Sequence, residues 1–107
     1  MHYELPLVVP IAIQVHVHDL IEAGDVRKAT RVLLSEGQLN RAEAAQAVEV
    51  LRSGGVLPDF PIPDQTDLAT RARALRDSGR RKHAIFTVRS ERDDMGPDDA
   101  EAFVDSL

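Results

Sequence analysis

His16 and His18 form an H-x-H pair followed by Asp19. On a strand both imidazoles would share one face and suit a metal ion, whereas on a helix residues two apart point about 200° from each other and cannot chelate together. The segment reads as a helix, as argued below, so the pair is expected to be surface or half-buried histidines. A second set is acidic: Asp93, Asp94, Asp98, Asp99 and Glu101 cluster around Gly96. They lack the alternating spacing and terminal glutamate of a calcium loop, and carboxylates at the positive end of a helix explain most of them. Ser35, Ser53, Ser78, Ser90 and Ser106 have no nucleophile-elbow context, and no glycine-rich phosphate cradle accompanies them. The chain has no cysteine, which removes thiolate chemistry and disulfides. The expectation is a protein without catalytic residues, metal ligands or cofactor.

The arginines carry more information. Between Arg71 and Arg92 there are eight basic and two acidic residues, and between Asp93 and Leu107 six acids and no base. Two antiparallel helices could fold these stretches against each other as solvated faces; the other reading is a partner-binding surface. Arg73, Arg76 and Arg80, spaced i, i+3 and i+7, form a row beside the apolar line Leu68, Ala72 and Leu75. Guanidiniums take carboxylates in bidentate fashion, so the row suits an acidic protein surface. An alternative is a small regulator that contacts nucleic acid through Arg71 to Arg92. Against it stands the formal net charge of −5, since nucleic-acid affinity normally rests on neutralising phosphates.

The elements that must position these residues are announced by an internal repeat. Setting Gly24 against Gly79 aligns Leu20 with Leu75, Ala29 with Ala84, Ser35 with Ser90 and Glu36 with Glu91. After one extra residue in the second copy, Ala44 aligns with Ala100, Val48 with Val104 and Leu51 with Leu107. Matches in order that also keep helical periodicity point to a divergent duplication. The expected organisation is an apolar N-terminal segment over 1–9, a first unit over 10–53, a Gly/Pro linker over 54–65 ("GGVLPDFPIPD") and a second unit over 66–107.

Each unit reads as three short helices, giving an all-α fold of two tandem three-helix repeats packed into one small domain. In the first helix Ile13, Val17, Leu20 and Ile21 have helical spacing, and Gly24 stops it. Ile11, Ile13, Val15 and Val17 also alternate as in a strand; the helical spacing of the second copy, "DLATRARALRDSG", favours helix for both. The second helix is expected to bury Val26, Ala29, Thr30 and Leu33, matched by Arg81, Ala84, Ile85 and Val88 with Arg81 at the exposed end of the stripe. The third begins at Asn40 with Glu43 placed for a capping box, or at Gly96 and Pro97 with acids in the first turn. It then turns Ala44, Ala47, Val48 and Leu51 inward, matched by Ala100, Phe103, Val104 and Leu107.

The hairpin pattern, an "A-x-x-V/L" helix, a polar turn and an "E-A-x-x-x-V-x-x-L" helix, resembles the C-terminal domain of the bacterial ribosomal large-subunit stalk protein. "KHAIFTVRSERDDMGPDDAEAFVDSL" carries the resemblance most fully, and "RKATRVLLSEGQLNRAEAAQAVEVL" looks like a second copy. The resemblance implies a docking hairpin whose basic residues receive translation GTPases. Arg89 matches the arginine ending the family's first helix, and Arg81 stands where a lysine is expected. Phe86 and Glu101 replace other basic positions, as do Leu34 and Ala45 in the first copy, where Arg31 is the match that remains. The turn becomes "ERDDMGP", one residue longer than the family's glycine-rich turn. The implied function is a non-catalytic protein–protein interaction module, with Arg73, Arg76, Arg80, Arg81 and Arg89 facing an acidic partner; homo-oligomerisation stays open.

Length and composition agree with a small globular domain. The chain has 107 residues, 43% of them hydrophobic and only 4% aromatic, so Leu, Val, Ile and Ala must build the core. The apolar run from Leu5 to Val17 is broken by Pro6, Pro10, Gln14 and His16 and is shorter than the roughly 20 residues a membrane span needs. Glu4 stands where a signal peptide would be basic. A cytoplasmic protein without membrane contact is the expectation.

Overall fold

A computed structural model describes residues 7–59, 67–92 and 94–107. The fold is all-α: α1 (Ile11–Glu22), α2 (Val26–Ser35), α3 (Arg41–Arg52), α4 (Leu68–Asp77), α5 (Arg81–Glu91) and α6 (Pro97–Asp105). No strand occurs among the described residues. The helices form two compact units. In the first, α1 packs on α2 and α3, and α2 packs on α3; in the second, α4, α5 and α6 contact one another in the same way. Of the expected linker, positions 60–65 lie outside the described residues, as do the start of the second unit at Thr66, most of the N-terminal segment, and Asp93 of the acidic cluster.

The two trios share their turns in detail. Gly24 and Gly79 both sit at φ +84°, a left-handed conformation that costs a residue with a Cβ about 1 kcal/mol or more. Behind each glycine the chain closes in the same way: Asp25 N–H donates to the Leu20 carbonyl at 2.9 Å, and Arg80 N–H to the Leu75 carbonyl at 2.8 Å. These bonds satisfy carbonyls left open at the ends of α1 and α4. The third helices start as their sequences require. Asn40 and Glu43 form a reciprocal capping box, with Glu43 N–H to Asn40 Oδ1 at 2.8 Å and Asn40 N–H to Glu43 Oε1 at 3.0 Å. Gly96 precedes Pro97 at the start of α6, with Asp98 and Asp99 in its first turn. For α4 the cap is Asp67, which accepts from Thr70 N–H at 2.7 Å; hydrogen bonding from the Thr70 side chain, and then from its N–H, holds the carboxyl below the usual carboxylate range.

The cores are small and mainly aliphatic, with Phe86 buried in α5. In α3 the inward line Ala44, Ala47, Val48 and Leu51 is buried throughout. In the second unit Ala72, Ala84, Val88, Ala100 and Val104 are buried, with Leu68, Leu75, Ile85, Phe103 and Leu107 packed partly around them. The α1 face differs from the spacing Ile13, Val17, Leu20, Ile21. Val17 is buried, but its neighbours in the core are Ile11, Gln14 and Val15, while Ile13, Leu20 and Ile21 remain partly exposed. In α2 the buried residues are Ala29, Val32 and Leu33, and Val26 is 40% exposed. At about 100° per residue, the buried arc centres near Ala29. That places Val26 at its edge, on the side of Thr30 and Leu34, and explains why counting every fourth residue put it inside.

Gln14 is fully buried, and its side chain ties the first unit together. Its amide Nε2 donates to the carbonyls of Val9 (2.8 Å) and Leu57 (2.7 Å), while Oε1 accepts from Leu57 N–H at 2.9 Å. Beside this clamp Val9 N–H donates to the Pro58 carbonyl at 3.0 Å. Two segments outside the helices are thereby anchored to α1. Gln14→Leu keeps the volume but leaves these buried polar groups without the amide, at about 1–3 kcal/mol for each. A loss of about 3 kcal/mol is expected in urea unfolding followed by circular dichroism; a loss under about 1 kcal/mol would remove the clamp from the stability of this unit.

Candidate protein-interaction surface

Two basic regions present themselves, one in each unit, and they differ in how much of their charge is already used. In the second unit most cations have partners. Arg71 forms a bidentate pair with Glu91, at 2.6 and 2.8 Å. Arg81 does the same with Asp105, at 2.9 and 2.8 Å, and lies 3.5 Å from Glu101. Arg92 pairs with Asp94 through two bonds of 2.9 Å. Lys82 stands 5.9 Å over the Phe86 ring, within cation–π range. The hydrogen bond from Arg81 is the main cause that holds the Asp105 carboxyl below its usual range, and the Arg81 guanidinium is raised in turn.

Arg76 has an inward role. Its Nη1 donates to the Val104 carbonyl at 2.9 Å and to the Leu107 main-chain oxygen, and its Nε and Nη2 reach Asp77 Oδ1 at 3.1 and 3.0 Å. A guanidinium thus caps the carbonyl end of α6, where positive charge is favoured. The row Arg73, Arg76, Arg80 is therefore divided: Arg73 and Arg80 are exposed and enter no ion pair among the described residues, whereas Arg76 is bound to its own chain. Arg89 is half-buried, and desolvation lowers its pKa. The basic and acidic stretches seen in the sequence thus meet each other in part, through Arg81 with Asp105 and Glu101 and through Arg76 with the end of α6.

In the first unit the arrangement is the reverse. An open groove of about 730 Å³ is lined by Val26, Arg27, Thr30, Arg31, Leu34 and Arg41. Val26, Thr30 and Leu34 recur every four residues and make an apolar ridge along α2; Arg27 and Arg31 run beside it, and Arg41 enters from the first turn of α3. None of the three arginines forms an ion pair or side-chain hydrogen bond among the described residues, and no carboxylate lines the groove. Val26 is also the one large hydrophobic residue left exposed among the described residues. By the repeat alignment Val26 takes the place of Arg81, and Glu49 that of Asp105. The face that an ion pair closes in one unit is left open in the other. Of these lining residues the sequence reading singled out only Arg31 for binding; the signal that could have found the rest is the Val26/Arg81 mismatch at an otherwise matched turn.

On α1, His16 and His18 lie on a helix, as expected, and only His18 turns partly inward. His18 Nδ1 lies 3.4 Å from Glu22 Oε1, and donor atoms of His18, Asp19 and Glu22 fall within 4.8 Å of one another. The His18–Glu22 contact is an ordinary i, i+4 pair on a helix surface. No helix among the described residues is long and apolar enough to cross a membrane. Compared with protein-family models, curated proteins and solved structures, the chain finds no match in any of the three.

The Arg81–Asp105 pair gives a direct readout. Its carboxylate pKa is depressed in the fold, so its contribution is present above the unfolded value near pH 4 and is lost as pH falls through the folded value. Titration of the Asp105 carboxyl by NMR should give a midpoint below the ordinary aspartate range, and in Arg81→Gln the midpoint should rise toward that range. An unchanged midpoint in the variant would show that the pair does not form in solution.

Proposed function

We propose that this chain is a non-catalytic protein-interaction module that receives an acidic partner on the α2–α3 hairpin of its first unit. The observation that carries the reading is the unpaired set Arg27, Arg31 and Arg41 around the exposed Val26. Three guanidiniums beside an apolar ridge offer both charge complementarity and a hydrophobic anchor, the two ingredients of an interface core and rim. The resemblance to the stalk-protein hairpin supports the same element as a docking surface, and the matched turns at Gly24 and Gly79 support divergent copies of one hairpin unit in tandem. On this reading the second copy has turned its basic residues to self-closure. Binding through Arg71 to Arg92, whether to an acidic protein or to nucleic acid, is left chiefly to Arg73 and Arg80, because Arg71, Arg76, Arg81 and Arg92 are held by carboxylates or carbonyls of the same chain.

The test is affinity capture from a lysate of the source organism by the immobilised chain, read against Arg27→Glu/Arg31→Glu/Arg41→Glu. All three sites are exposed, so the variant should keep its helical signal and melting temperature. It should also lose specific proteins that the wild type retains reproducibly. If both retain the same set while Arg73→Glu/Arg80→Glu loses it, docking belongs to the second unit; if no protein is retained specifically by any form, the module reading fails.

A further inference from the structure

We infer that the occupant of the α2 groove is an acidic amphipathic helix, bound along the ridge Val26–Thr30–Leu34 with its carboxylates on Arg27, Arg31 and Arg41. The inference rests on the interaction-module reading and adds the chemistry and shape of the partner. The ridge covers positions i, i+4 and i+8 of α2, about 12 Å at 1.5 Å per residue. A partner helix that repeats aliphatic side chains at i, i+4 and i+7 spans a similar length, about 10.5 Å, and can lay one side chain against each turn of the ridge. Residues flanking such a row can carry carboxylates to the cations that line the groove: Arg27 and Arg31 along α2, Arg41 at the start of α3. An extended peptide finds no such match, because β-addition needs an open sheet edge and no strand exists among the described residues. A nucleic-acid backbone would use the arginines but leave the ridge bare, whereas an aliphatic side chain covers Val26, which the fold itself leaves 40% exposed. Glu49, which stands where Asp105 closes the second unit, does not line the groove and forms no ion pair among the described residues. It therefore neither fills the site nor neutralises it.

The experiment uses the full chain, labelled for methyl and arginine Nε NMR, and three probes. The first is a synthetic peptide of roughly 14 residues, about four helical turns, made of Leu at i, i+4 and i+7 spacing with Glu and Asp between. The second is a scramble of the same composition with the leucines off that spacing; the third is a single-stranded DNA of similar length. The amphipathic peptide should shift the Val26 and Leu34 methyls and the Nε resonances of Arg27, Arg31 and Arg41 saturably, and the scramble should bind at least about tenfold more weakly, the 1.4 kcal/mol worth of one well-placed anchor. Arg27→Glu/Arg31→Glu should lose binding by tenfold or more, and Val26→Ser, which keeps every charge, should lose several-fold while the helical signal is unchanged. Equal binding of peptide and scramble would overturn the inference, because charge alone would then hold the partner. So would absence of shifts on α2, or DNA binding of similar strength abolished by the same reversals. Should the peptide fail while the triple arginine variant still loses captured proteins, the interaction-module reading stands and the helical partner falls; should both fail, the groove is not a docking site.

Discussion

Six alanines without exposed surface, Ala29, Ala44 and Ala47 in one unit and Ala72, Ala84 and Ala100 in the other, set the terms of this structure. A methyl group at each of these six positions lets helix axes approach closely, between larger buried residues such as Val17, Leu33, Leu51, Phe86 and Val104. Close approach gives good packing but little apolar area, about 25 cal/mol for each Å² removed from water. Each trio therefore leans also on polar bonds between its elements. In the first, the Gln14 amide joins α1 to the backbone of the segments that precede and follow the three helices in the chain. In the second, the Arg76 guanidinium joins α4 to the end of α6. Aliphatic contact alone would leave the ends of both trios loosely held.

The same framework then yields two different surfaces through a few substitutions. Arg81 at the start of α5 reaches Asp105 and Glu101 across α6, so the second unit spends its charge internally. Val26 at the equivalent start of α2 cannot make that bridge, and Ala45 stands where Glu101 would meet it. The neighbouring arginines are then left facing solvent beside an apolar ridge. On the proposed reading, closure of one copy leaves a single docking face on a chain whose net charge is −5.

Local chemistry made much of the fold legible. The glycine stops at 24 and 79, the Asn40–Glu43 box, Pro97 with its acids, and the whole inward line of α3 follow from rules that act within a few residues. What lay hidden depends on distant partners. Gln14 reads as a polar interruption of an apolar run, yet it is buried because Leu57, 43 residues away, offers both a donor and an acceptor. Arg76 reads as a surface arginine because the carbonyls that it caps belong to another helix. Val26 fits a core spacing and misleads for the opposite reason, since the arc buried in α2 is centred on Ala29, Val32 and Leu33. The arginine row was visible as charge, but the pairing that divides it between internal bonds and open cations is a tertiary property.

The central claim is that basic charge lies open on α2 and is neutralised internally on the α5–α6 side. Solvent paramagnetic relaxation with two soluble nitroxides, one anionic and one cationic, measures this on the intact chain without any partner. The ratio of the two effects at each amide reports local potential, and on a protein of net charge −5 the cationic agent should dominate generally. An excess from the anionic agent across Val26, Arg27, Thr30 and Arg31, with little at Arg81 to Arg92, is the predicted result; the strongest anionic excess over Arg71 to Arg92, with none along α2, would contradict it.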